Sequence, residues 1–150
     1  MSPWLIIAAL LGLVPAAEDL EAASATAAAS GVPIVLYVSR SDCSFCRRFE
    51  QEVLNPLLRS GELNDRALIR ELTWDRRTPL VGFDGALVAP EDLAQSYDAR
   101  LTPTLLFLDP AGREIVPRIT GYPRSEFFSY YLEEAIREAW RRLQPAEAPR

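Results

Sequence analysis

The stretch Val32-Pro33-Ile34-Val35-Leu36-Tyr37-Val38-Ser39-Arg40-Ser41-Asp42-Cys43-Ser44-Phe45-Cys46 decides how this chain folds. Its first seven residues are an apolar run rich in branched side chains, the pattern of a buried strand. Ser39 to Asp42 read as a short polar loop. Beyond it Phe45, Phe49, Val53 and Leu57 recur at helical spacing, with Leu54 and Leu58 beside them. Arg47, Arg48, Glu50, Gln51, Glu52 and Arg59 fall on the opposite, polar side. Pro56 predicts a kink, because proline removes a helical hydrogen bond and crowds the preceding turn. Gly61 predicts the end of the helix. Cys43 and Cys46 are the only two cysteines in 150 residues. They stand one turn apart where the strand gives way to the helix. The positive end of the helix dipole lowers the pKa of the first thiol, and the spacing lets the pair close a small ring. A bridge across two residues constrains the unfolded chain very little, so it makes a poor structural staple. The arrangement suits thiol–disulfide exchange.

Composition removes several alternatives. With 49% hydrophobic and 25% charged residues the chain is an ordinary globular one, of a length for one domain. The net charge of −5 provides no footprint for nucleic acid or for an anionic membrane. Histidine is absent, which removes Ser-His-Asp, Cys-His and zinc–histidine chemistry together. Two cysteines without histidine cannot fill a structural zinc site within one chain, so no metal and no cofactor are expected. All 16 basic residues are arginine.

The amino terminus points to export. Trp4 to Val14 is an uncharged apolar run of signal-peptide length, too short for a membrane span of about 20 residues. Val14-Pro15-Ala16 matches the small-residue cleavage pattern, with the cut before Ala17. The segment before the run carries no Lys or Arg, so an uncleaved anchor and a buried first helix are the competing readings. No cysteine follows to accept a lipid. The expected organisation is a signal peptide over 1–16, an Ala-rich leader or helix over 17–30, one domain over 31–143 and a disordered tail over 144–150. An exported protein meets an oxidising compartment, where two cysteines form a disulfide.

Further along, Ala67 to Trp74 reads as a second strand. Leu80-Val81 and Leu87-Val88 flank Asp84-Gly85 as a small hairpin or bulged loop. Pro90 to Tyr97 opens like a short helix with acids in its first turn. Thr104 to Leu108 is a third strand, Asp109-Pro110-Ala111-Gly112 a turn, and Glu114 to Ile119 a fourth strand. Pro117 places that strand at a sheet edge, since it cannot donate to a central ladder. Ser125 to about Leu143 forms the last helix, with Phe128, Leu132, Ala135, Ile136, Ala139 and Leu143 on its apolar face. The order is α/β, with a parallel right-handed first crossover and an antiparallel last pair. The result is a mixed four- to five-stranded sheet with helices on both faces.

This order, with Cys43-Ser44-Phe45-Cys46 at the first strand–helix junction, resembles the thioredoxin superfamily. Leu101-Thr102-Pro103-Thr104 stands where that family keeps a cis-proline. Phe107 to Glu114 is similar to its antiparallel hairpin, and Gly121-Tyr122 to its glycine before the last helix. Phe83-Asp84-Gly85, Glu91 to Tyr97 and Thr102-Pro103-Thr104 together resemble a narrower group, exported bacterial thioredoxin-like proteins tied to sulfur oxidation and periplasmic disulfide reduction. The resemblance covers roughly residues 32–143.

The resemblance implies roles for particular residues. Cys43 is the nucleophile that forms a mixed disulfide with substrate, and Cys46 resolves it. Thr102 and Pro103 form the substrate-binding strand entry, with Phe45 as an aromatic contact whose alternative is a place in the core. The sequence departs from thioredoxin at three points. Tyr37 occupies the place of a buried proton-transferring aspartate, Asp42 replaces a tryptophan, and Ser44-Phe45 replaces Gly-Pro. Tyr37 and Asp42 are therefore the candidates for tuning the thiol pKa. Arg47 and Arg48 are either solvated flank or support for a thiolate. The function expected is periplasmic thiol–disulfide exchange, reducing protein disulfides, with a membrane thiol reductase as electron donor. The alternatives are an oxidase or isomerase of the same fold, and a non-catalytic binding protein or metallochaperone. The last is disfavoured because copper chaperones of this fold add a histidine to the two cysteines.

Overall fold

The computed structural model describes residues 13–123 and 126–146. The apolar run of the proposed signal segment lies almost wholly outside the described residues. The Ala-rich stretch forms helix α1, Leu20–Ser30, with the Asp19 carboxylate accepting from the Ala22 amide at 2.8 Å. Gly31 closes it in the left-handed conformation, φ 66°. Leu20, Ala23 and Ala27 are buried, so this stretch is a packed layer of the domain.

Strand β1, Ile34–Ser39, is buried along its whole length. It pairs in parallel with β2, Leu68–Thr73, and antiparallel with β5, Thr104–Leu108. Strand β6, Glu114–Thr120, pairs antiparallel with β5, giving the sheet order β2-β1-β5-β6. Pro117 accordingly lies on an edge strand, where its missing N–H costs no central ladder bond. Two-residue strands β3, Leu80–Val81, and β4, Leu87–Val88, make a separate hairpin. The main sheet thus has four strands, and the hairpin stands apart.

The period of two along β1 divides the interior. Val35 and Tyr37 face a core with Phe49, Leu54 and the last helix, α5, Phe128–Leu143. Ile34, Leu36 and Val38 face a second core built on α1 and on α4, Pro90–Ser96. Both cysteines belong to the first core.

The helix after the cysteines departs from the expected kink. It runs as α2, Ser44–Phe49, then a π-helical turn, Glu50–Leu54, then α3, Asn55–Ser60, ending at Gly61 with φ 73°. Pro56 has no N–H for the carbonyl four residues back and its ring would press on it; widening the preceding turn relieves both. The widened turn buries Val53 and Leu54 together. Phe45 is no part of that apolar side: it stands 54% exposed, and burial on this helix begins at Cys46 and Phe49. Gln144, at the start of the expected tail, is tied to the carbonyls of Trp140 and Gly31 at 2.9 and 3.1 Å. Residues 147–150 lie outside the described residues.

A disulfide at the helix entrance

Residue by residue, the site is assembled from three chain segments. β1 ends at Ser39, and the loop after it is held from two sides. The Asp75 carboxylate accepts from the Ser41 amide at 2.9 Å, and the Asp42 carbonyl accepts from Arg40 Nε and Nη2 at 3.2 and 2.8 Å. This fixes Cys43 at the N-cap of α2 in extended backbone, φ −142°. Its sulfur takes the place of a capping oxygen and accepts from the Cys46 amide at 3.2 Å. Cys43 and Cys46 are joined by a disulfide, S–S 2.19 Å, with Cα atoms 5.2 Å apart.

The third segment is the entry to β5. The Thr102–Pro103 peptide is cis, Pro103 is buried, and the Thr102 hydroxyl lies 3.3 Å from Cys43 Sγ, oriented to donate to it. Cys43 Sγ therefore has two donors directed at it, a backbone amide and a hydroxyl. Both favour negative charge on that sulfur. Leu101, 74% exposed, and Phe45, 54% exposed, are large apolar side chains left open within two residues of these groups. The pair itself is nearly covered, Cys43 6% and Cys46 2% exposed, so reaction partners must come in along the surface of Cys43.

Of the residues singled out for pKa tuning, Asp42 is exposed and joins the site through its carbonyl, while Tyr37 is fully buried. The Tyr37 hydroxyl donates to Glu50 Oε1 at 3.0 Å. Burial first, then the charges of Glu50 and Glu71, push the phenol's pKa far up, so it remains a neutral donor. Periodicity puts Glu50 on the polar face of the helix; in the structure it turns in to Tyr37. Burial raises its carboxyl pKa, and Glu71 adds to the rise, while the Tyr37 hydrogen bond and Arg47 oppose it. Glu71, opposite Tyr37 on β2, accepts from the Ser39 hydroxyl at 2.6 Å. Arg47 donates to the Ser41 carbonyl at 3.2 Å and so braces the loop. Among the described residues no three His, Cys, Asp or Glu side chains converge to hold a metal ion.

A cis-proline against a two-residue-spaced disulfide at a helix N-terminus, on a mixed β2-β1-β5-β6 sheet, defines a thioredoxin-type dithiol protein. The sequence signature of the Thioredoxin-like domain family matches residues 20–136, and this chain belongs to that family. Its cysteine pair makes it a thiol–disulfide oxidoreductase. No curated protein shows significant sequence similarity to it. Solved structures share its fold. The structure described as "DsbH Oxidoreductase" is 17% identical, with TM-score 0.63 over 83% of this chain and 85% of that one. Thioredoxin of Fasciola hepatica is 17% identical, with TM-score 0.57 over 84% and 99%. A thioredoxin-fold protein from Helicobacter pylori is 21% identical, with TM-score 0.51 over 75% and 82%.

Proposed function

We propose that this protein is an exported, periplasmic reductase of protein disulfides, recharged by a membrane thiol reductase. The observation that carries it is Cys43 Sγ, a capping sulfur faced by the Cys46 amide and the Thr102 hydroxyl, with Cys46 sealed behind it. Such a sulfur is fit to exchange, not merely to crosslink. A substrate disulfide is attacked by the Cys43 thiolate, and the electron pair leaves on the departing substrate sulfur. Cys46 then closes on Cys43 and the second substrate thiol departs, so two electrons pass from dithiol to substrate.

Charge is what supports the reducing direction. Two donors favour the Cys43 thiolate, but Glu50 and Glu71, gathered at Tyr37 in the core that holds both cysteines, set negative charge against it, and this favours the closed disulfide. A pair whose disulfide is favoured is a good reductant. Export rests on the apolar run before Pro15 and the small residues after it. Among the described residues no helix is long and apolar enough to cross a membrane.

Three measurements test this. Cys43→Ser should abolish reduction of a protein disulfide, and Cys46→Ser should leave the protein trapped as a mixed disulfide. The reduction potential should lie near the roughly −270 mV of a thioredoxin; a value near −120 mV would make the protein an oxidant. Fractionation of an exporting host, with intact mass, should find the chain in the periplasm beginning at Ala17.

A further inference from the structure

Cys46 cannot attack while it holds its proton, so some group must accept that proton as the resolving step proceeds. Glu50 follows Cys46 by four residues, which sets the two on one helix face with Cβ atoms about 5–6 Å apart. Helical side chains lean back toward the N-terminus, so Glu50 overhangs the turn that carries Cys46. The Glu50 amide also bonds back to the Cys46 carbonyl.

The carboxylate is held, and one of its oxygens is left open. Oε1 accepts from the Tyr37 hydroxyl at 3.0 Å, while Oε2 has no hydrogen-bond partner among the described residues. Tyr37 is fully buried in the same core as both cysteines, which turns the Glu50 side chain toward the sulfurs' side of the sheet. From β2 the charged group facing Glu50 is Glu71, itself engaged by the Ser39 hydroxyl at 2.6 Å and near the Thr73 hydroxyl at 3.5 Å. From α2 it is Arg47, whose guanidinium is occupied by the Ser41 carbonyl. Glu52, on the same widened turn, is engaged by the Tyr122 hydroxyl. The surroundings raise the carboxyl's proton affinity above that of a solvated glutamate, as a base for a thiol requires.

We propose that Glu50 is the acid–base residue of the resolving cysteine and that Tyr37 is its positioning residue. In the mixed disulfide between Cys43 and substrate, the Cys46 thiol passes its proton to Glu50. The resulting thiolate attacks Cys43 Sγ, the Cys43–Cys46 bond forms, and the bond to substrate breaks. The electron pair departs on the substrate sulfur, which takes up a proton from Glu50 or water. In the reverse direction the Glu50 carboxylic acid returns a proton to Cys46 as the disulfide opens. The proposal rests on exchange through Cys43 and Cys46 and holds for either direction of electron flow and any compartment.

The test reacts the reduced full chain with Ellman's reagent, which loads thionitrobenzoate on Cys43, and follows its release by Cys46 in stopped flow across a range of pH. Glu50→Gln should slow release about 100-fold at neutral pH. It should also move the acid limb of the profile up to the thiol's own titration. Glu50→Asp should recover part of the rate. Tyr37→Phe removes the hydrogen bond that holds the Glu50 pKa down, so its limb should move to higher pH while release persists. Glu50→Gln resolving as fast as wild type, or faster as mere removal of a repelling charge would make it, overturns the role of Glu50. If Glu50→Gln does not fold, unaltered profiles in Glu50→Asp and Tyr37→Phe overturn it equally. A wild-type chain that never releases thionitrobenzoate would overturn the exchange reading itself, and this proposal with it.

Discussion

At the scale of single residues, Phe49 links the redox site to the core. It is fully buried and meets the rings of Tyr37, Tyr122 and Phe128 with centroids 5.4, 5.7 and 5.5 Å away. Phe49→Ala should cost about 3–5 kcal/mol in urea unfolding, the range for emptying a buried aromatic site. It should also loosen Tyr37, and through it Glu50. Tyr97 is a second anchor, donating from its hydroxyl to the Gly112 carbonyl at 2.5 Å. Tyr97→Phe should cost about 1 kcal/mol. The cysteine pair was legible from the sequence because its chemistry depends on spacing alone. Glu50 was not. A carboxylate on a helix facing away from the apolar stripe reads as solvated, and only the position of Tyr37 across the β1–α2 contact shows that it has a partner indoors. The signal available was the four-residue step from Cys46, which places an acid above a reactive thiol.

At the scale of elements, the β5–β6 turn shows how local chemistry and packing agree. Asp109 Oδ1 accepts from the amides of Ala111 and Arg113 at 2.9 and 3.0 Å, and Oδ2 from Arg113 Nε at 3.0 Å. Gly112 takes φ 90°, and a Cβ there would come within 2.7 Å of the Phe83 ring. Gly112→Ala should therefore destabilise by at least about 1–2 kcal/mol from backbone conformation alone, with the clash against Phe83 added, in thermal or urea unfolding. This turn, the Gly61 helix end and the Asp84-Gly85 hairpin were readable because each is a local matter of a few residues. The helix after Cys46 was readable in extent but not in form. Whether Pro56 bends a helix or widens its previous turn depends on what the turn must bury, here Val53 and Leu54, and that information is tertiary. Phe45 was ambiguous for the same reason: it continues the apolar spacing but precedes the point where the helix meets the sheet.

At the scale of the whole molecule, two things follow from how the layers meet. Tyr97 joins α4 to the β5–β6 turn, and burial, with Glu114 and Asp109 adding to it, pushes its phenol up from 10.0 to about 12. The folded state thus holds this proton more tightly than the unfolded chain. The stability it contributes is complete below the ordinary tyrosine range and disappears as pH rises through about 12. Alkaline unfolding followed by tyrosinate absorbance should show this loss in wild type, and Tyr97→Phe should remove that part of it. The layer arrangement itself was legible from strand order, because apolar runs, Pro117 and the Asp109 turn constrain it. What lay beyond the sequence was the use of the segment before α1. The Ala17 amide donates to the Glu71 carbonyl at 2.8 Å and the Glu71 amide to the Pro15 carbonyl at 2.9 Å, so this segment lies along the outer side of β2. The opposite border of the sheet is β6, interrupted by Pro117 and by irregular register against β5. In the uncut chain one border is occupied by this strap and the other is broken up, so neither offers a clean template for an incoming strand; a cut before Ala17 removes Pro15 and Ala16 and bares the β2 border. Before that cut, fibril-like stacking and recruitment by sheet extension are disfavoured alike, and molecular recognition is left to the loops around Cys43.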